Sequence, residues 1–261
     1  MPVFASMDDR GRACTTAANT AFNNHRLSVV QILGVSTQEG PHFLGSGFII
    51  HKKVAESKCL VLTCNHVLET LKDGFELNVR LSGTIVDLRA AYLCHHDSLD
   101  LAVISIQVPN INTVNCLVFS DDTPPAGTLV ALVSYYNPIN LVARININYE
   151  GHMNEHPLIS DEPGAVGGFI GPLQFVTTSI PAWVIPHSCY GIKGSSGGPI
   201  ICHSTQHAIG VFNASNYEIH LSIGIGSVMA FLGHWLQQNR LQGIRRGDTF
   251  LDTIERCRRL Y

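Results

Sequence analysis

The sequence has no long apolar run and little charge. Its hydrophobic stretches are the length of strands and fall short of the roughly 18 residues that a membrane-spanning helix requires. Charged residues make up 14% of the 261 positions, and the formal net charge of -3 gives no reason to expect a nucleic-acid partner. The first residues include Asp8 and Asp9 and lack a basic segment before an apolar core, so nothing indicates export. We therefore expect a cytoplasmic or nuclear protein that acts neither on membranes nor on nucleic acids.

The sequence also lacks a compact cysteine framework and a complete set of metal ligands. Its eight cysteines are scattered, which favours reduced thiols over disulfide bonds. Metal-ligand residue types gather at residues 95–97 and 202–207, but neither group offers four ligands in a recognisable order, so we expect no metal. No phosphate-binding glycine loop or dinucleotide fingerprint occurs, and we expect no cofactor.

Glycine, proline and short β-branched runs are abundant. The chain has 23 glycines and 12 prolines, and 45% of its residues are hydrophobic, which predicts an all-β barrel or sandwich with a sizeable core. Buried-type apolar runs in the first half predict strands over residues 27–33, 44–50, 59–63, 75–81, 85–94 and 101–106. The Pro-Pro-Ala-Gly segment that ends at Gly127 reads as a linker, after which a second set of strands continues to about residue 225.

The two ends and one internal segment differ from this pattern. Residues 1–24 are small and polar, which predicts a loosely ordered arm. Apolar residues recur at helical spacing from Ser227, which predicts a helix that leads into a basic tail over residues 227–261. The tail arginines alternate with acidic residues, so we favour a solvated face over a site for an acidic partner. The segment over residues 150–171 is interpreted as an insertion or a long surface loop.

One glycine-rich segment, Gly194–Pro199, has the composition of a nucleophile loop. Its glycines allow tight turns and let a substrate main chain approach closely. The backbone amides of Gly194 and Ser196 then converge on the oxygen that becomes negative when Ser196 attacks a carbonyl. Such clusters also occur as simple flexible turns. The segment therefore indicates peptide-bond hydrolysis only if a base and an orienting group accompany it.

Both partners are present upstream of the serine. His66 follows a buried apolar strand, and Asp100 stands at the mouth of another. A carboxylate in that position holds the imidazole Nδ1–H and stabilises the imidazolium. Asp97 is a rival for this role, but its place three residues before the strand makes Asp100 the better candidate. Cys64 is either a competing nucleophile or a buried structural thiol, and we favour the second interpretation.

These residues lie in segments that resemble the chymotrypsin-like serine proteases, and most closely their HtrA (Deg) branch. The similar segments are the Gly-Ser-Gly strand, the histidine segment, the aspartate strand and the serine loop, at Gly45–Ile50, Leu62–Val67, Asp100–Ile104 and Gly194–Pro199. The resemblance covers about residues 40 to 240. It departs from the digestive branch at Ser195, where those enzymes carry an aspartate that pairs with a newly cut N-terminus. Activation by that route is therefore not expected.

The resemblance implies a fold and an organisation. We expect two six-stranded antiparallel β-barrels, with His66 and Asp100 in the first (25–120) and Ser196 in the second (126–226). Too few residues follow the terminal helix for a PDZ domain, so we expect none. HtrA-like domains often form trimers, so the resemblance makes a homo-oligomer possible, with a trimer as the form that the analogy implies.

The resemblance also implies a function and a substrate site. The expected activity is a serine endopeptidase acting on protein or peptide substrates, and the alternative is a catalytically silent or latent protease-like fold that binds peptides. Two segments would form the walls of the substrate pocket, which gives as substrate-binding candidates Tyr190, Gly191, Ile192, Phe212 and Asn213. Neither wall contains an acidic residue, so we expect a small or medium apolar side chain rather than arginine or lysine.

Overall fold

The computed structural model of the chain describes residues 7–136, 162–176, 182–215 and 220–261. The first half forms a closed antiparallel barrel with the strand order β1-β2-β3-β6-β5-β4. Its strands are β1 Val29–Ser36, β2 Gly40–Lys53, β3 Lys58–Thr63, β4 Glu76–Leu81, β5 Asp87–His96 and β6 Leu101–Gln107. Each of these strands overlaps one of the six predicted from the sequence, so the first barrel is confirmed.

Continuous apolar runs form the centre of this barrel. Strand β3 pairs with β2 on one side and with β6 on the other, and its residues 59–63 are all buried. Such a strand needs apolar side chains on both faces, which explains why it shows no alternation of polar and apolar residues. Because β3 and β6 are neighbours, the ends that carry His66 and Asp100 lie side by side.

The second sheet has seven strands in the order β8-β7-β11-β12-β13-β10-β9. They are β7 Leu129–Ser134, β8 Gly164–Phe169, β9 Gln174–Val176, β10 Ala182–His187, β11 Pro199–Cys202, β12 Ala208–Ser215 and β13 His220–Gly224. The sheet curls until Ile170, just after β8, pairs with His187 of β10. Six strands thus form a barrel-like sheet as expected, and the short β9 pairs with β10 as a seventh strand.

Strand β8 corrects the interpretation of residues 150–171 as an insertion or loop. Residues 164–169 pair with β7 throughout. The sequence signal was weak because three of the six residues are glycines, which are depleted in strands. Gly167 is needed there, because a Cβ at this position would overlap the backbone of Cys14. Residues 150–161 of the predicted loop lie outside the described residues.

Helix α1 (Met7–His25) corrects the expectation of a loosely ordered arm over residues 1–24 for the part from residue 7 onward, and residues 1–6 lie outside the described residues. Its buried side chains are small, namely Ala17, Ala18 and Ala21. Small side chains let the helix approach β8 closely, but they give little hydrophobic periodicity in the sequence. The composition therefore looked like that of an arm although one side of the helix is packed.

Two helices follow the second sheet. Helix α3 spans Ile225–Gln238 and helix α4 spans Phe250–Cys257; the short α2, Asn65–Glu69, lies in the first half. Helix α3 begins two residues before the predicted start at Ser227, whose buried hydroxyl instead accepts a hydrogen bond from Trp183 N at 2.9 Å. Helix α4 has a capping box formed by Thr249 and Asp252. None of the helices in the described residues is long and apolar enough to cross a membrane.

Candidate active site

His66 and Asp100 form a close, doubly connected pair. His66 Nδ1 lies 2.6 Å from Asp100 Oδ2, and the backbone amide of His66 donates to Asp100 Oδ1 at 2.8 Å. A third bond, from Asn65 N to Asp100 O at 3.1 Å, ties the start of α2 to the turn before β6. These bonds fix the position and the ring orientation of the imidazole.

The turn that holds Asp100 has an unusual backbone. Asp100 ends the one-turn 3-10 helix Asp97–Leu99 and has a φ of 49°, in the left-handed region. Aspartate is one of the few residues other than glycine that tolerates this conformation. Asp97 bonds elsewhere, to Asn65 Nδ2 at 3.1 Å and to His95 Nε2 at 3.1 Å. The structure thus brings Asp100, and not the rival Asp97, to the histidine.

Hydrogen bonding to Asp100 raises the pKa of His66 above its ordinary value of 6.5. Partial burial acts in the opposite direction but is the smaller effect. The imidazole remains accessible from the outside, because 42% of its side chain is exposed. It is therefore a basic, oriented and reachable group.

Ser196 lies in the loop between β10 and β11, beside strand β12. Its Oγ donates to the carbonyl oxygen of Asn213 at 3.2 Å, and within the described residues it makes no hydrogen bond to His66. Two contacts from strand β2 anchor the loop: Ser46 N donates to Ser196 O at 2.9 Å, and Ser46 Oγ donates to Gly194 O at 2.8 Å. The first barrel thus holds the loop of the second sheet that carries Ser196.

The amides of Gly194 and Ser196 have no hydrogen-bond acceptor within the described part of the chain. Gly194 has a φ of 99°, which a residue with a Cβ rarely adopts. Between them, Ser195 is buried and its amide donates to Ile192 O at 2.9 Å, which closes the turn. The two remaining amides can donate hydrogen bonds to an anionic oxygen.

The two segments that we expect to form substrate walls are closely packed against each other. Phe212 is 2% exposed, and its ring occupies the space where a Cβ on Gly191 would lie. Tyr190 is 43% exposed at the edge of the other wall, next to Ile192. Asn213 has an additional contact that its sequence position did not reveal, since its side-chain amide donates to Asp100 Oδ2.

Cys64 is a buried thiol, as we favoured from the sequence. Burial raises its pKa well above the usual value, and its Sγ donates to Phe212 O at 3.2 Å. The ligating atoms of Cys64, His66 and Asp100 lie within 4.8 Å of one another, which is close enough for a metal. The protonated thiol and the imidazole–carboxylate bond fit a proton-transfer site better than a set of metal ligands.

A closed antiparallel barrel that carries His66 and Asp100, beside a second curled antiparallel sheet that carries Ser196, is the arrangement of the chymotrypsin-like serine proteases. The sequence profile of the trypsin-like peptidase domain matches residues 45–211. This match covers more than half of the chain, so the protein belongs to the trypsin-like peptidase family. The resemblance to chymotrypsin-like proteases is confirmed. A search of curated proteins finds no match.

Solved structures show the same fold. The active form of the Rv3671c protease from M. tuberculosis matches with a TM-score of 0.59 and 17% identity, over 88% of this chain and 88% of that one. An inactive form gives a TM-score of 0.58 and 18% identity, over 84% and 94%. An inactive form with a serine-to-alanine substitution gives 0.59 and 18%, over 88% and 96%.

Proposed function

We propose that this protein is a serine endopeptidase in which Ser196, His66 and Asp100 act together on a peptide bond. The observation that carries the proposal is the paired contact of Asp100 with the ring and the backbone of His66, at 2.6 and 2.8 Å. A carboxylate held in this way fixes the tautomer with the proton on Nδ1, which leaves Nε2 as the base. The family membership of residues 45–211 supports the same activity.

In the proposed reaction, His66 Nε2 removes the proton of Ser196 as its Oγ attacks the substrate carbonyl carbon. The carbonyl oxygen takes the negative charge and binds to the amides of Gly194 and Ser196. His66 then gives its proton to the leaving amine, and the carbon–nitrogen bond breaks to leave an acyl-enzyme. Water attacks this ester by the same route in reverse, and the acid product leaves Ser196 free.

Ser196 must turn for this reaction, because its Oγ donates to the carbonyl of Asn213. The required movement is a rotation about χ1, which is a small change for an accessible serine. The backbone of the loop is already fixed by Ser46. We therefore expect the side chain of Ser196 to rotate while the backbone of the loop stays in place.

Hydrolysis of an unstructured protein tests the proposal directly. Purified wild type is expected to cut denatured casein at internal bonds, and Ser196→Ala is expected to lose this activity with an unchanged circular dichroism spectrum. The matched control is Ser204→Ala, which removes the hydroxyl of an exposed serine in the turn between β11 and β12. Equal cutting by Ser196→Ala and wild type would remove Ser196 from the mechanism.

A second function is favoured by two contacts at the site. The bond from Ser196 to Asn213, together with Phe212 packed against Gly191, describes a closed site. A protein fixed in this state would bind peptides or proteins without cutting them. Peptide binding by wild type without turnover, under conditions in which the chain is folded, would support this function over the first.

The substrate class, location, branch and assembly expected from the sequence are part of the proposal. Protein or peptide substrates follow from the activity, while a cytoplasmic or nuclear location and a place in the HtrA branch remain predictions. A homotrimer is also a prediction, and light scattering after size-exclusion chromatography would test it. A mass of one or two chains at micromolar concentration would contradict it.

A further inference from the structure

Ser46 is a fully buried serine of β2 at the junction of the two sheets. Its Oγ donates to the carbonyl oxygen of Gly194 at 2.8 Å and accepts from the backbone amide of Tyr135 at 2.9 Å. Gly194 lies two residues before the proposed nucleophile, and Tyr135 directly follows β7. One hydroxyl of the first barrel thus contacts two segments of the second sheet, and no step of the proposed reaction uses it.

The hydroxyl of Ser46 has a single hydrogen, and the geometry directs it to Gly194. The carbonyl oxygens of Gly194 and Tyr135 lie 2.8 and 3.3 Å from Oγ, so the shorter contact takes the hydrogen. Within the described residues no other group donates to the carbonyl of Gly194, which is buried. Removal of the hydroxyl would therefore leave this oxygen without a partner.

This bond fixes one particular peptide group, the one that joins Gly194 to Ser195. Its oxygen is held by Ser46, and its N–H, which belongs to Ser195, donates to Ile192 O at 2.9 Å. Gly194 has no side chain, and its φ of 99° lies in a region that glycine enters without strain. The hydrogen bonds at its two ends therefore set the orientation of this peptide group.

The backbone of Ser46 holds a second peptide group, the one that follows Ser196. Ser46 N donates to Ser196 O at 2.9 Å, and the N–H of Gly197 donates to Phe212 O at 2.8 Å. These contacts do not depend on the side chain at position 46. A substitution that removes only the hydroxyl of Ser46 therefore affects the peptide group after Gly194 and spares the one after Ser196.

The Gly194–Ser195 peptide group lies between the two amides that the proposed reaction needs. The N–H of Gly194 precedes it and the N–H of Ser196 follows it, and neither has an acceptor within the described residues. Two donors stabilise one oxygen only when both point at the place where the charge forms. Rotation of the peptide group between them would turn these donors apart.

We propose that Ser46 is a positioning residue for these two amides: its hydroxyl holds the Gly194–Ser195 peptide group so that both amides converge on the substrate carbonyl oxygen. The inference rests on the proposed endopeptidase activity. Ser46 is buried and acts only through Gly194. Because the substrate oxygen becomes negative only as the reaction proceeds, the contribution of Ser46 falls on kcat rather than on KM.

Replacement of Ser46 by alanine tests the kinetic consequence. Ser46→Ala removes the hydroxyl and keeps the backbone bond to Ser196, and we expect kcat to fall about tenfold to hundredfold with little change in KM. The matched control is Ser227→Ala, since Ser227 is also buried and its hydroxyl contacts the backbone of Trp183 at the start of α3. This control should keep the wild-type kcat. An unchanged kcat in Ser46→Ala, or a rise in KM alone, would overturn the proposal.

Two inhibitors separate positioning from a general loosening of the structure. With a peptide aldehyde, Ser196 Oγ bonds to the aldehyde carbon, His66 takes the hydroxyl proton, and the former carbonyl oxygen becomes the anion that the two amides bind. The matching peptide alcohol binds without this step. In Ser46→Ala we expect the inhibition constant of the aldehyde to rise by about the factor by which kcat falls, while that of the alcohol is unchanged. An equal rise for both inhibitors would show a merely structural role and overturn the proposal.

The same two inhibitors test the proposal on wild-type protein alone. The aldehyde should bind more tightly than the alcohol, because only the aldehyde oxygen becomes an anion at the two amides. If it binds no more tightly, the amides do not form an anion site and Ser46 has nothing to position. This comparison decides against the proposal even if Ser46→Ala does not fold.

The failure of the inference differs from the failure of the proposed function. If Ser46→Ala cuts as fast as wild type while Ser196→Ala cuts nothing, the proposed endopeptidase stands and the inference fails. A folded wild-type chain that cuts no peptide and no denatured protein contradicts the proposed function, and the inference falls with it.

Discussion

Asn213 donates its side-chain amide to Asp100, on the same carboxylate oxygen that bonds His66 Nδ1. Its backbone carbonyl accepts the hydroxyl of Ser196 at 3.2 Å. One residue of β12 thus contacts two members of the proposed triad, although its sequence position indicated a substrate wall. We infer that Asn213 positions Asp100 and that its hydrogen bond stabilises the negative charge of the carboxylate.

Substitution of Asn213 tests this role. Asn213→Ala removes one donor to a charged acceptor, and we expect kcat to fall about tenfold to hundredfold, with a smaller change in KM. Asn213→Asp puts a second carboxylate beside Asp100 and is expected to lower kcat further. The measurement is steady-state hydrolysis of one peptide by both variants. A change in KM alone would instead indicate that Asn213 contacts the substrate as part of the pocket wall.

The pH dependence follows from the raised pKa of His66. The base must be neutral to accept the serine proton, so kcat/KM is expected to fall as the pH drops below that pKa, which lies above 6.5. Asp100→Asn removes the main cause of the shift. The titration of His66 should then move to lower pH while turnover drops on the order of 10⁴-fold.

Nuclear magnetic resonance can follow this titration without turnover. Ser196→Ala with and without Asp100→Asn gives a matched pair in which only the partner of His66 changes. The predicted result is a lower pKa of His66 in the double variant. Equal values would mean that Asp100 does not determine the basicity of His66.

Cys64 is expected to be chemically inert. Its thiol is fully buried and its pKa is raised, so little thiolate is available at neutral pH. Iodoacetamide should modify Cys14, which is partly exposed, well before Cys64 in the folded protein. Cys64→Ala should retain hydrolysis, at a cost of about 1 kcal/mol of stability. Loss of hydrolysis in a folded Cys64→Ala protein would reopen the possibility of a cysteine nucleophile.

Two glycine substitutions test the packing of α1 on β8. Gly167→Ala would push against the backbone of Cys14, and we expect a loss of about 1–3 kcal/mol in the free energy of unfolding. Gly11→Ala is a control within α1, because an added Cβ at this position meets no neighbouring atom within 4 Å. It should stabilise the protein by about 0.5–1 kcal/mol. Urea denaturation measures both, and equal effects would show that α1 is not packed as described.

Elements and candidate site residues could be predicted best from the sequence where a continuous apolar strand lies next to a candidate functional residue. Strand β3 shows this, because its residues 59–63 are buried and His66 lies three residues beyond its end. Burial of both faces leaves little choice of residue type, so the pattern is readable without the structure. The apolar strand β6 is equally readable, and Asp100 directly precedes its first residue.

Prediction failed where small residues take the place of large apolar ones. Helix α1 packs through alanines, and β8 contains three glycines, so neither shows the periodicity that reveals a buried face. The contact of Asn213 with Asp100 joins residues 113 positions apart. No local sequence pattern reveals this contact, because it depends on how the two sheets pack against each other.

Labelling with a fluorophosphonate probe shows whether Ser196 is an activated nucleophile. We expect a covalent adduct on the peptide that contains Ser196, no adduct in Ser196→Ala, and slower labelling in Asp100→Asn. Mass mapping of the labelled peptide identifies the site. If folded wild-type protein stays unlabelled, or if Ser196→Ala is labelled to the same extent, Ser196 is not the activated nucleophile.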